Sequence, residues 1–284
     1  MNNNVRMVVT DMDGTLLNSN GKISEENYLT LKTLGEKNIL RVFATGRSIF
    51  SAFHAIDNNS PFDYLVFSSG TGVYCRNQQK ILYSRNIQAC TTKKIVLMLK
   101  NFGLNFSVAN KIPDNHKYCY YKYCDEPDFD TRNNKYRPFI KEIDFSNISD
   151  SPQIIVIFNK NEDRFDEISK KLFANFNDIN IIKATSPISG ENIWLEIYPK
   201  NTSKFTGVSF ISKLHNINLS ETLGVGNDFN DIDFLDKMAY PFVTQNANIE
   251  LHKKYFVTKS NNENGFSEAV KKIISDINLS KLIL

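Results

Sequence analysis

Two carboxylates one residue apart stand near the beginning of the chain, in the stretch VVTDMDGTLL at residues 8–17. The apolar residues before Asp11 are typical of a buried strand, and Gly14 allows a sharp turn after Asp13. Like charges held this close raise each other's pKa, so we expect a cation between the two carboxylates. Because open α/β sheets bind ligands at the carboxyl ends of their strands, the motif predicts a ligand site there. A polar turn after an edge strand is the alternative.

A second group of oxygen-bearing side chains follows the apolar run TLGVG, in the stretch GNDFNDIDF. It collects five acidic and amide residues: Asn227, Asp228, Asn230, Asp231 and Asp233. Oxygen ligands favour Mg²⁺, which usually takes one or two carboxylates together with substrate phosphate and water. The same residue types cap helix N-termini, so a capped helix start is the alternative.

Two further stretches predict phosphate binding. In FATGRS, Thr45 and Gly46 follow a predicted strand, where a hydroxyl, backbone N–H groups and the start of a helix form an anion site, and Arg47 adds a charged fork. In PKNTSKFTG, Lys204 falls in the first turn of a predicted helix, which is unfavourable for a cation unless an anion lies nearby. A solvent-exposed lysine is the alternative for Lys204.

The elements that must position these residues alternate between strands and helices. The pattern begins with a strand at residues 5–10, a helix opened by Ser24, the strand ILRVFAT and a helical stretch after Arg47. DYLVFSSG adds a strand, and GVYCRNQQKILYS predicts a hairpin. After about residue 192 the alternation resumes, with strands at IWLEIYP, TLGVGN, PFVTQ and YFVTK and helices at about 202–216 and 265–278.

Between about residues 85 and 192 the pattern changes. Helices at 91–102 and 163–177 stand among short strands such as NFSVAN and QIIVIFN, and this order predicts an α+β unit inserted into the first domain. The polar tract at residues 125–138 is compatible with a disordered loop as well as with ordered structure.

Composition excludes several classes of protein. The chain has 284 residues, 41% of them hydrophobic, which is enough to bury a sizeable core. A net charge of only +3 argues against nucleic acid or a membrane surface as the principal partner. We expect a cytoplasmic protein, because no stretch approaches 18 uncharged apolar residues. The four cysteines lack paired C-x-x-C spacing, so we expect reduced thiols.

Taken in order, DMDGTLL, FATGR, Lys204 and GNDFND resemble the four motifs of the haloacid dehalogenase (HAD) superfamily. The inserted segment resembles the C2 cap of its Cof-type, subfamily IIB phosphatases, and SSGTGVY, QNANIELHKK and NENGFSEAVKK are also similar to family sequences. The resemblance implies a doubly wound, Rossmann-like α/β core at residues 1–84 and 193–284, with an α+β cap domain at residues 85–192.

The resemblance also implies roles for the residues singled out above. Asp11 would be the nucleophile that forms an aspartyl-phosphate, and Asp13 the general acid and base. The implied Mg²⁺ ligands are Asp11, Asp13, Asn227 and Asp231. The implied substrate-binding residues are Thr45, Gly46, Arg47, Lys204 and Asn230.

The implied function is Mg²⁺-dependent hydrolysis of small phosphomonoesters, above all sugar phosphates, by a monomer or homodimer. The family usually carries aspartate at Asn227 and asparagine at Ser69, so we expect a weaker metal site and an altered specificity. Whether Asn227 or Asp228 binds the metal stays open, as does the leaving group. A phosphomutase that uses the same intermediate is one alternative, and a phosphate-ligand sensor without turnover is another.

Overall fold

The computed structural model describes residues 4–57, 59–158, 162–186 and 188–274. Its strands are β1 (Met7–Asp11), β2 (Leu40–Ala44), β3 (Tyr64–Phe67), β4 (Gly72–Cys75), β5 (Lys80–Ser84), β6 (Phe106–Ala109), β7 (Tyr118–Tyr121), β8 (Ile140–Glu142), β9 (Ile154–Phe158), β10 (Ile179–Thr185), β11 (Ile193–Pro199), β12 (Thr222–Gly226), β13 (Tyr240–Thr244) and β14 (Phe256–Thr258). Its α-helices are α1 (Glu25–Glu36), α2 (Ile49–Ala55), α3 (Ala89–Asn101), α4 (Pro127–Lys135), α5 (Glu162–Asn175), α6 (Lys204–Leu214), α7 (Ile232–Leu235), α8 (Ile249–His252) and α9 (Gly265–Ile273).

The chain divides into two compact units, and the first comprises Met1–Arg47, Ser51–Tyr83 and Ser203–Leu284. Its eight-stranded sheet has the order β14-β13-β12-β1-β2-β3-β4-β5. The six strands from β14 to β3 run parallel, and β4 joins β3 antiparallel. β1 therefore lies in the middle of the parallel part, where its carboxyl end is flanked by those of β12 and β2.

Helices cover this sheet in two groups. Val208 and Ile211 of α6 and Phe234 of α7 form one buried cluster with Met7 and Val9 of β1. Helices α1 and α9 contact each other, and they pack against β2 and against β12 to β14 respectively. This arrangement confirms the predicted doubly wound α/β core.

Local signals explain where α1 begins. The Ser24 hydroxyl accepts a hydrogen bond from the backbone N–H of Asn27 at 3.2 Å, which satisfies one of the free donors of the first turn. Glu25 and Glu26 place negative charge at the positive end of the helix dipole. The helix start predicted at Ser24 is confirmed.

The second unit comprises Ser48–Phe50 and Ser84–Thr202. Its six-stranded sheet has the order β10-β11-β9-β6-β7-β8, with all neighbours antiparallel except β7 and β8. Ile95 and Leu99 of α3 and Ile168 and Leu172 of α5 pack on one face of the sheet. The other face carries Phe129 of α4, in a cluster with Ile155, Ile157 and Trp194. The predicted α+β character of the insertion is confirmed.

One strand was predicted in the wrong unit. We expected IWLEIYP, and with it everything from residue 193, to belong to the first unit. The structure pairs this strand, β11, antiparallel with β10 and β9, and the second unit extends to Thr202. Six of its seven residues are buried, and a continuous apolar run of this kind does not indicate which of the two sheets the strand joins.

The polar tract at 125–138 contains helix α4. The Glu126 side chain accepts from the backbone N–H of Phe129 at 2.7 Å, Pro127 occupies the first turn, and the Phe129 side chain is fully buried. A cap and one buried anchor therefore hold an otherwise polar helix in place. The last predicted helix ends at Ile273, and its predicted extension to 278 lies largely outside the described residues.

Candidate active site

Strand register brings the predicted site residues of the first unit to one edge of its sheet. Asp11 is the last residue of β1, and it stands opposite Ala44 at the end of β2. Thr10 stands opposite Val225 of β12. Since β1, β2 and β12 run parallel, the loops that follow them share this edge.

The ammonium group of Lys204 is the centre of the site. Its Nζ lies 2.7 Å from Asp11 Oδ1, 2.6 Å from Asp231 Oδ1 and 3.2 Å from Asn230 Oδ1. Lys204 is only 2% exposed although it is the first residue of α6, where the helix dipole disfavours a cation. The carboxylates of Asp11 and Asp231 are anions of the kind that would make a cation favourable here, and the alternative of a solvent-exposed lysine is wrong.

This buried cluster has an excess of negative charge, because one ammonium faces two carboxylates. Burial raises the pKa of Asp11 to about 7, against the opposing effect of Lys204. Burial alone would lower the pKa of Lys204, but Asp11 and Asp231 outweigh it and raise that pKa above its usual range. Lys204 therefore stays charged, and the cluster favours a further positive charge beside Asp11.

Both carboxylate oxygens of Asp231 form hydrogen bonds within the protein. Its Oδ1 binds Lys204, while its Oδ2 accepts from the backbone N–H groups of Asn227 at 2.9 Å and Asp228 at 3.1 Å. Both oxygens are thus committed, and the carboxylate is fully buried. We therefore revise the predicted role of Asp231 from metal ligand to a residue that fixes Lys204 and the loop after β12.

Asn227, and not Asp228, lies beside the first pair of carboxylates. One end of its carboxamide lies 3.0 Å from Thr15 Oγ1, 3.2 Å from Asp11 Oδ2 and 3.0 Å from the backbone oxygen of Asp13, and hydrogen bonds to the last two form with the amide nitrogen at that end. The Asp228 carboxylate instead accepts from the backbone N–H of Phe229 at 2.7 Å and caps the short turn that follows. Between these two candidates, the geometry favours Asn227.

Asp13 pairs with a residue that the sequence assigned to substrate. Arg47 donates from Nε to Asp13 Oδ2 at 2.7 Å and from Nη2 to Asp13 Oδ1 at 2.6 Å. The Asp13 side chain remains 53% exposed, so it stays accessible. Thr45 is buried, and its hydroxyl accepts from the backbone N–H of Arg47 at 3.1 Å, while Gly46 between them is exposed.

Comparison with known sequences decides the family. Residues 8–270 match the family model of haloacid dehalogenase-like hydrolases. The chain belongs to this family. The resemblance that the four motifs indicated is confirmed, and with it the prediction that the chain is a hydrolase.

Individual relatives match most of the length of the hydrolase. It is 23% identical to 5-amino-6-(5-phospho-D-ribitylamino)uracil phosphatase YwtE of Bacillus subtilis, over 95% of this chain and 99% of that protein. A solved phosphatase of the HAD superfamily from Bacteroides thetaiotaomicron superposes with a TM-score of 0.76 at 20% identity, covering 95% of each chain. A solved HAD subclass IIB sugar phosphatase gives a TM-score of 0.73 at 19% identity, covering 95% of this chain and all of the other.

Sequence reasoning gave no role to two residues that support the site of the hydrolase. Thr15 contacts Asn227 through its hydroxyl, as described above. Asp233 Oδ2 accepts from the backbone N–H of Phe205 at 3.0 Å and so fixes the first turn of α6, which carries Lys204. Both residues stand inside the quoted motifs, but their types alone do not reveal which neighbour they contact.

Ser69, the other departure from the family pattern, lies next to Thr45. Its backbone N–H donates to the Thr45 carbonyl at 3.0 Å, and its φ of 51° is left-handed. The following Gly70 has a φ of 94°, and a Cβ there would fall 1.9 Å from the backbone oxygen of Ser203. Only glycine lets this loop approach the start of α6 so closely.

Wider features of the described residues agree with this picture. No cluster of three or more His, Cys, Asp or Glu side chains suited to a metal occurs among them. The four cysteines are not paired in disulfides in the described residues. No helix within the described ranges has the length and apolar character needed to cross a membrane.

Proposed function

We propose that the hydrolase cleaves small phosphomonoesters through an aspartyl-phosphate on Asp11. The observation that carries the proposal is that the two carboxylate oxygens of Asp11 have different neighbours. Oδ1 is held by Lys204, while Oδ2 lies 3.2 Å from an end of the Asn227 carboxamide that is also 3.0 Å from the Asp13 carbonyl oxygen. An Asp11 oxygen attacks phosphorus, the alkoxide leaves, and water then attacks phosphorus and releases Asp11 and inorganic phosphate.

Asp13 is the proposed general acid and base of both steps. It gives a proton to the leaving oxygen in the first step and takes one from the attacking water in the second. Arg47 binds both carboxylate oxygens in the described geometry, so one Asp13 oxygen must release Arg47 before it transfers a proton, while the other oxygen stays bound to Arg47. Arg47 therefore acts as a positioning residue for Asp13.

The residues at the site fit Mg²⁺. Adjacent ligands of an octahedral Mg²⁺ at about 2.1 Å lie about 3.0 Å from each other. One end of the Asn227 carboxamide lies 3.2 Å from Asp11 Oδ2 and 3.0 Å from the Asp13 carbonyl oxygen, so with its oxygen turned to that end Asn227 would have the spacing of a ligand neighbouring each of them. When bound, the ion neutralises and orients the phosphoryl oxygens. Asp231 is not among its proposed ligands.

The substrate phosphate is held by groups of the same edge. Lys204 and the Asn230 amide lie beside Asp11, and Thr45 and the exposed backbone of Gly46 follow β2. Fixed donors of this kind contribute most as charge develops in the transition state. We propose sugar phosphates as substrates, because one solved relative is named a sugar phosphatase and a second relative is named a phosphatase of a compound with a phosphorylated ribityl chain. We further propose that the reaction occurs in the cytoplasm.

Phosphate release tests the proposal. The purified chain is incubated with a panel of sugar phosphates in Mg²⁺ or in EDTA, and an acid quench is followed by peptide mass analysis. We expect Mg²⁺-dependent release of phosphate and an added phosphoryl mass on the Asp11 peptide. An isomerised sugar phosphate without net release would identify a phosphomutase instead. If neither product forms although the chain binds phosphate, the result would identify a sensor.

A further inference from the structure

The carboxamide of Asn227 has three oxygen atoms around one end. That end lies 3.0 Å from Thr15 Oγ1, 3.2 Å from Asp11 Oδ2 and 3.0 Å from the Asp13 carbonyl oxygen. The carboxylate and carbonyl oxygens are acceptors only. If the carboxamide oxygen faces them, three acceptors meet and need a cation. If the nitrogen faces them, its two hydrogens find three acceptors.

We propose that Asn227 works in two orientations: its nitrogen points inward when the site holds no metal, and its oxygen points inward when Mg²⁺ is bound. The inference rests on the metal site proposed above. In the first orientation the amide N–H groups bind the oxygens that otherwise hold the ion. The aspartate usual in the family has no donor and can serve only the second orientation.

The surroundings of Asn227 permit this rotation. Its backbone N–H is fixed by Asp231 Oδ2 at 2.9 Å, so only the carboxamide turns. The outer end of the group lies against Gly14, where a Cβ would fall 2.5 Å from it. The Thr15 hydroxyl serves both orientations, because it donates to an inward oxygen and accepts from an inward nitrogen.

Asparagine at position 227 therefore lowers the affinity for Mg²⁺ and stabilises the protein when no metal is bound. With aspartate at position 227, a third carboxylate would lie beside Asp11 and the Asp13 carbonyl, and the single Thr15 hydroxyl could not supply the two hydrogens that the amide provides. We expect Asn227→Asp to melt about 3–8 °C lower than the wild type in EDTA. Saturating Mg²⁺ should restore the melting temperature of Asn227→Asp. The variant should bind Mg²⁺ with a dissociation constant about tenfold lower than that of the wild type.

Asn246→Asp is the matched control. In the wild type, the side-chain nitrogen of Asn246 donates to the Gly14 carbonyl at 2.8 Å, and its side-chain oxygen accepts from the backbone N–H of Asn261. Like Asn227→Asp, this substitution removes one amide donor and adds one negative charge. Asn246 does not contact the Asp11 carboxylate. Its deficit in melting temperature should be the same in EDTA and in Mg²⁺.

The experiment has two readouts on the full chain. Thermal unfolding in EDTA and in Mg²⁺ compares wild type, Asn227→Asp and Asn246→Asp. If Asn227→Asp does not fold, Asn227→Ala replaces it, and it should lose stability in EDTA and gain less from Mg²⁺ than the wild type. The second readout is the side-chain NH₂ signal of Asn227 in ¹⁵N NMR, assigned by its loss in the variant. It should be protected from exchange in EDTA, and added Mg²⁺ should shift it and speed its exchange.

The outcomes separate the inference from the proposed function. If Mg²⁺ stabilises the wild type but Asn227→Asp is equally stable in EDTA and the NH₂ signal does not respond to Mg²⁺, the two-orientation inference is overturned and the metal site stands. If Mg²⁺ stabilises neither the wild type nor Asn227→Asp, the metal site itself is overturned, and the inference fails with it.

Discussion

Arg47 holds Asp13 by two parallel hydrogen bonds of 2.7 and 2.6 Å. Such fork-to-fork pairing fixes both the position and the plane of the carboxylate. A residue that the sequence associated with substrate phosphate is thus engaged with the proposed general acid and base. Arg47 connects the loop after β2 to the loop after β1, the two segments that carry Thr45 and Asp13.

Replacing Arg47 by lysine should therefore impair proton transfer more than phosphate binding. Lysine keeps the charge but cannot make the paired contact. We expect Arg47→Lys to lower kcat for sugar phosphates by about 10- to 100-fold, with a smaller effect on p-nitrophenyl phosphate, whose leaving group needs no proton. Arg41→Lys is the matched control, since Arg41 donates two parallel hydrogen bonds to the Asp63 carboxylate, from Nε at 2.9 Å and from Nη2 at 2.6 Å. Equal losses on both substrates would contradict a role through Asp13.

The two opening carboxylates should be separable by substitution. Asp11→Asn removes the nucleophile while keeping its shape, so turnover of every ester should fall by several orders of magnitude. Asp13→Asn cannot transfer protons, yet p-nitrophenyl phosphate should still phosphorylate Asp11. Rapid-mixing absorbance should then show a burst of nitrophenolate followed by slow turnover. A burst in Asp11→Asn, or label on another residue, would reverse these assignments.

Asp231→Asn tests the revised role of Asp231. An asparagine there weakens the hold on the buried Lys204 ammonium, so unfolding free energy should fall by about 1–3 kcal/mol and kcat should fall as well. The Mg²⁺ concentration for half-maximal activity should stay unchanged, because both Asp231 oxygens are committed to Lys204 and the backbone. Denaturant titration and a Mg²⁺ titration measure the two effects. A large rise in the Mg²⁺ requirement would restore Asp231 as a ligand.

His215 should make the stability of the first unit sensitive to mild acid. Its Nε2 lies 2.7 Å from the Tyr64 hydroxyl, and burial lowers the pKa of His215 below 6.5. The unfolded chain, with an ordinary histidine pKa of about 6.5, then binds a proton more readily than the folded chain. Stability should thus be unaffected above about pH 6.5 and decline as the pH falls below it. Melting curves of wild type and His215→Gln between pH 5 and 8 should converge toward low pH. A constant difference would exclude this titration.

The sequence revealed those parts of the site that depend on local physics. A lysine in the first turn of a helix requires an anion, and Lys204 has two. The direction of a side chain within a loop is a different matter. Asp231 was predicted as a metal ligand, but its orientation is set by hydrogen bonds from the amides of residues 227 and 228, which no spacing rule reveals.

The fold shows the same contrast. The alternating strands and helices of the first unit follow from periodicity, whereas β11 was placed in the wrong unit because a strand buried on both faces has no alternation to read. Helix α4 was uncertain because its sequence is almost wholly polar. Its stability depends on Phe129, which is buried only because Ile155 and Trp194 lie opposite. Such contacts exist in the folded unit and not in a sequence window.

The position of β1 between β2 and β12 has a consequence for synthesis on the ribosome. Asp11 is made among the first residues, but its partner Lys204 and the second carboxylate that binds Lys204, Asp231, follow some 190 to 220 residues later. The second unit, by contrast, comes almost entirely from the continuous stretch Ser84–Thr202, so it can fold while the first unit still lacks β12. A nascent chain that ends before residue 204 has no Lys204 to neutralise Asp11. Catalytic competence therefore arises late in translation, when the two ends of the first unit meet.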